Sequence, residues 1–179
     1  MRWEQGAPAP HTFEWPAGAA TLELAHEGAG APWVAVQSRA AVPLRKPLFA
    51  GFRIKRSVTP VAQQAAGRWQ RGDAYRVRLE IAAQTDMTWV VVSDPLPAGA
   101  VALANTGTTE SAVHPLFDER GQDVYRAYYD FVPQGSWLLE YTVRLNNAGE
   151  FQLPPTRIEA MYAPDMFGEL PNAAFTVEP

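Results

Sequence analysis

The sequence predicts an all-β fold: a sandwich of about seven antiparallel strands over the larger, second part of the chain. Three observations carry this. Several segments alternate apolar and polar residues with a period of two, the mark of a strand with one buried face. From residue 50 onward, turn residues recur at intervals of roughly ten, which suits hairpins and Greek keys. No segment sustains a helical period, so no crossover helix is available to join parallel strands.

Residues 1–12 carry no pattern and are expected to form a disordered, frayed leader. Residues 13–15, 20–25 and 33–41 read as short strands, separated by Pro16-Ala17-Gly18 and Glu27-Gly28-Ala29-Gly30. The segment 13–46 holds too few apolar residues for a core and should lean on something larger. Pro43 and Pro47 mark the boundary, so the sandwich is expected over 47–179. Residues 52–58 alternate Phe52, Ile54, Arg56 and Val58 against charged neighbours and suit an edge strand, ended by Pro60. Residues 75–81 place Tyr75, Val77, Leu79 and Ile81 on one face. Residues 88–93 form a continuous run (TWVVVS), as for a central strand covered on both sides. A further short strand is expected at 101–104. Residues 124–132 put Tyr125, Ala127, Tyr129 and Phe131 inward. Pro133-Gln134-Gly135-Ser136 reads as a hairpin-type turn into 137–145, the cleanest alternation in the chain. Phe151 and Leu153 resume the apolar pattern until Pro154-Pro155 interrupts it. Residues 157–161 and 175–177 are short strands, and 162–169 is expected to be a loop rich in large apolar groups.

The net charge of −4, with no clustered basic stripe beyond Arg45-Lys46 and Lys55-Arg56, argues against nucleic acid as a partner. With no cysteine, disulfides, thiolate metal sites and cysteine nucleophiles are excluded. His11, His26 and His114 lack the spacing of metal ligands, so no metal or other cofactor is expected. Asp94, Asp118 and Glu119 sit in turn contexts, where carboxylates ordinarily serve as caps; a hydrolase using them is one alternative. A free-standing binding module using exposed aromatics, such as an adhesin or carbohydrate-binding sandwich, is another. The N-terminus lacks a basic-then-apolar leader, and no apolar run reaches the roughly 20 residues of a membrane span. The stronger lead is Tyr162. Pro164 holds Ala163 extended and so fixes how the tyrosine is presented. Tyr162 then either caps its own sandwich or meets a partner, together with Met161, Pro164, Asp165 and Phe167 in the surrounding loop.

Several segments together resemble the last macroglobulin-like domain (MG10) of bacterial α2-macroglobulins. They are RSVTPV (56–61), WQRGD (69–73), WVVV with DPLPAG (89–92 and 94–99), YRAYY (125–129) and LPPTRIEAMYAP (153–164). Residues 13–46, with WVAVQS at 33–38, resemble the strands that complete the preceding CUB domain. The resemblance implies a fibronectin-III-like sandwich and a non-enzymatic part of an exported, periplasmic protease trap. In such a trap, bait cleavage releases a Cys–Gln thioester that captures the protease. The terminal domain packs on the thioester domain of the same full-length chain, and a tyrosine in a Met-Tyr-x-Pro element helps keep water off the bond. Met161-Tyr162-Ala163-Pro164 matches that element, so the resemblance assigns the shielding role to Tyr162. Contact with a membrane would come only through an anchor elsewhere in the full-length protein. Lacking cysteine, this chain cannot itself form a thioester. It is expected to be a piece of a longer chain rather than one product of a divided gene.

Overall fold

The computed structural model describes residues 12–14, 18, 21–31, 33–40, 42–103 and 111–179. The chain divides into two units, Met1–Ala41 and Val42–Pro179. The described residues of the first unit form no strand, although strands were expected at 13–15, 20–25 and 33–41. Their apolar side chains lie open: Trp33 is fully exposed, and Leu22, Leu24, Val34 and Val36 are also exposed. An isolated strand has nowhere to place its backbone N–H and C=O groups, so alternation without a partner does not produce a sheet. The leader expected at 1–12 lies, apart from Thr12, outside the described residues.

The second unit is the expected antiparallel sandwich, with more strands than the pattern suggests. One sheet contains, in spatial order, β1 (Leu48–Ala50), β11 (Ala163–Leu170), β10 (Thr156–Ala160), β4 (Met87–Pro95), β7 (Val124–Val132) and β6 (Phe117–Arg120). The other contains β2 (Phe52–Ala62), β3 (Ala74–Ala83), β8 (Gly135–Arg144) and β5 (Val101–Ala102). A separate ladder joins β9 (Gly149–Phe151) to β12 (Phe175–Val177). β3 pairs with β8 from Ala74↔Arg144 to Ala83↔Gly135, which fixes the centre of the four-stranded sheet.

The alternating residues build one core from both sheets. Tyr75, Val77, Leu79 and Ile81 of β3 and Trp137, Leu139, Tyr141 and Val143 of β8 are buried against Val90 and Val92 of β4, Tyr125, Ala127 and Tyr129 of β7, and Ile158 of β10. Each such large side chain contributes about 1.5–3 kcal/mol on burial. Tyr125 and Tyr141 stack across the two sheets at 3.9 Å between ring centroids. Burial pushes the Tyr125 hydroxyl up to about 12.

Four local expectations change. Pro60 does not end its strand: β2 lies on a sheet edge, where a missing N–H breaks no ladder, and a register shift follows Pro60. Pro133-Gln134 is not a hairpin but a corner, since β7 and β8 lie in different sheets. Phe131 is about half exposed, because the inward phase of β7 changes there and Val132, not Phe131, enters the core. The expected loop at 162–169 is largely β11, paired with β10 on one side and β1 on the other. Gly51 lets the chain pass from β1 to β2: its φ is 89°, and a Cβ there would meet the Met166 methyl.

Candidate functional site

The site is the end of the six-stranded sheet where β10 turns into β11. Met161 and Tyr162 form the turn. Its geometry follows from two neighbours. The Met161 N–H donates to the Trp89 carbonyl at 2.8 Å, extending the β10–β4 ladder by one bond. On the return strand, Ala163 pairs with Ala160, but the next pair is Phe167 with Glu159. Pro164, Asp165 and Met166 therefore bulge out of the ladder, and Pro164 stands where no N–H is needed.

Tyr162 is 79% exposed and Met161 52% exposed. Pro164 and Asp165 are also exposed, so four of the five residues singled out in the sequence gather near the turn. Phe167 does not join them. It is partly buried, paired with Ala50 of β1, and covered by the Arg157 guanidinium 5.2 Å from its ring centre. It belongs to the body of the sheet because β11 continues where a loop was expected.

The structure adds Trp89, which the sequence placed in a covered strand. Trp89 is 50% exposed. Its φ of 53° makes it the sole non-glycine residue with positive φ among the described residues. A bulky residue in that region carries strain of about 1–3 kcal/mol. Val90 pairs with Tyr129 and Thr88 with Phe131, while Trp89 itself has no register partner on β7. Its ring meets Tyr162 edge-on, at 6.4 Å between centroids and 88° between planes. Phe131, paired with Thr88 of β4, is exposed at the same sheet end. A shallow groove of about 340 Å³ adjoins the turn on the outer sheet face, lined by Val91, Ser93, Arg126, Tyr128, Glu159, Ala160, Met161 and Pro164.

The carboxylates considered for hydrolysis are held by structural partners. Asp94 is wholly buried and accepts from Arg56 Nε at 3.0 Å and from the hydroxyls of Tyr141 and Thr156. Asp118 pairs with Arg120 at 2.8 Å. Glu119 accepts from Tyr128 and Arg126, which hold its carboxyl below the usual carboxylate range. His26 and His114 are exposed, and His11 lies outside the described residues.

Residues 51–165 match the family model described as the bacterial α2-macroglobulin MG10 domain. An α2-macroglobulin homolog from Nostoc sp. is 33% identical over 115 residues, covering 60% of this chain and 6% of that protein. The α2-macroglobulin of Pasteurella multocida is 29% identical over 119 residues, covering 64% and 6%. The chain thus spans about 6% of the length of these curated relatives. Among solved structures, native Escherichia coli α2-macroglobulin from domain MG7 to the C-terminus superposes with a TM-score of 0.65 at 18% identity, covering 76% of this chain and 25% of that one. Salmonella α2-macroglobulin reacted with methylamine gives a TM-score of 0.65 at 22% identity, covering 75% and 10%. At these identities the likeness is one of fold. The match over more than half of the sequence shows that the chain belongs to the bacterial α2-macroglobulin MG10 domain family.

Proposed function

We propose that this domain is a non-catalytic shielding module of an exported, periplasmic, protease-trapping α2-macroglobulin. It packs against the thioester domain of the same full-length chain, and Tyr162 keeps water from the thioester until the bait is cut. Residues 13–46 supply strands to a neighbouring CUB-type domain in that assembly. The trapped protease is reached only through the full-length protein.

The observation that carries this reading is the exposure of Tyr162 on a turn fixed by backbone bonds. An aromatic ring held outside its own core is ready to cover a neighbour, and loses little conformational freedom in doing so. A thioester is an acyl donor open to water and amines, so a packed ring that excludes them prolongs its life. One structural neighbour, the Salmonella α2-macroglobulin, is seen reacted with methylamine, as a protein carrying such a bond would be. Release follows when cleavage separates two packed domains.

The test is photo-crosslinking from position 162 in the full-length protein. Benzoylphenylalanine there should crosslink to the Cys–Gln segment before bait cleavage and lose that product afterwards. Crosslinks confined to this domain in both states would refute the reading.

A further inference from the structure

We propose that Trp89 is the positioning residue for Tyr162, a role that rests on the shielding reading above. The backbone at Trp89 lies in the left-handed region, where glycine is unstrained and asparagine tolerated. The side chain is half exposed, so core packing does not account for a tryptophan at this strained point. Its one ring contact among the described residues is the edge-on approach to Tyr162. The same residue offers its carbonyl to the Met161 N–H, one position before that tyrosine. Trp89 thus grips the turn twice: the main chain sets where the turn sits, and the indole limits where the phenol ring points. Without the indole, Tyr162 keeps its anchor but its ring samples more rotamers, and the lid stands in the covering orientation for less of the time.

Trp89→Gly is the informative variant, because it keeps the carbonyl, suits the φ angle and removes the ring. Trp89→Asn provides a second, independently folding version. In the 179-residue chain, 3-fluorotyrosine incorporated at Tyr162 should give a fluorine resonance displaced by the indole. Both variants should move it to the free-tyrosine position without lowering the unfolding midpoint. An unmoved resonance overturns the proposal. In the full-length protein, each Trp89 variant should raise protease-independent thiol release roughly two- to tenfold, the range expected from losing one edge-to-face ring pair. Added to Tyr162→Gly, it should change nothing further. An equal increase in both backgrounds would make Trp89 a contact in its own right and overturn positioning. If Tyr162→Gly alone leaves thiol release unchanged, the shielding reading falls, and the fluorine resonance alone decides whether Trp89 orients the ring.

Discussion

Asp94 joins the two sheets through a buried charged network. Arg56 of β2 and Tyr141 of β8 reach it from the four-stranded sheet, while Thr156 reaches it from β10 beside it. Asn172 in turn donates to Thr156 Oγ1 at 3.1 Å, so the Thr156 hydroxyl both gives and accepts. Burial by itself would lower the Arg56 pKa; the charge and hydrogen bond of Asp94, together with the Tyr141 and Tyr75 hydroxyls, outweigh it and keep the guanidinium firmly protonated. Asp94→Asn strands a buried cation and should cost about 3–5 kcal/mol in urea unfolding. Tyr141→Phe removes one donor of several and should cost about 1–3 kcal/mol. If the two variants lose equal stability, the charge pair is not the centre of the network. Asp73 acts differently. It accepts from the Gln70 N–H at 2.9 Å and the Gln64 N–H at 3.0 Å. Burial alone would raise its pKa, but these bonds prevail and hold the carboxyl below its usual range. A depressed folded pKa stabilises above the unfolded value of about 3.9 and loses that contribution as pH falls through the folded value. The stability gap between wild type and Asp73→Asn should therefore be widest at neutral pH and narrow in acid; urea midpoints near pH 7 and pH 3 check this.

β10, its turn and β11 form the element that presents Tyr162. β11 runs close to β2: a Cβ on Gly168 would lie 3.1 Å from the Phe52 carbonyl oxygen and 3.1 Å from Ile158 Cγ2. Backbone cannot yield there as a flexible side chain could, so Gly168→Ala should destabilise the domain by about 1–3 kcal/mol. Tyr162→Gly, at an exposed turn, should shift stability by less than about 0.5 kcal/mol. Thermal unfolding of the two variants checks the contrast; a large loss for Tyr162→Gly would make the ring structural. The long strands were legible because Tyr75 to Ile81 and Trp137 to Val143 alternate strictly. β11 was not: Pro164, Asp165 and Gly168 carry loop chemistry, and its pairing depends on β1, more than a hundred residues earlier in the chain. Arg56 did carry a readable signal, since a charge in phase with Phe52 and Ile54 needs a buried partner. Trp89 gave none. Its place in an apolar run hid a main-chain kink that exists only in the folded sheet.

For the whole molecule, the sandwich serves as a rigid mount. The Asp94 network lies toward one end of β4 and the Trp89–Tyr162 pair at the other, so the sheets are locked away from the surface proposed to meet a neighbour. That separation permits a test in which folding and shielding come apart. The decisive measurement is the rate of thiol appearance in the uncleaved full-length protein, compared between wild type and Tyr162→Gly at equal folded fraction. The variant should expose thiol several-fold faster in water, and the difference should vanish once the bait is cut. Equal rates before cleavage would contradict shielding by Tyr162.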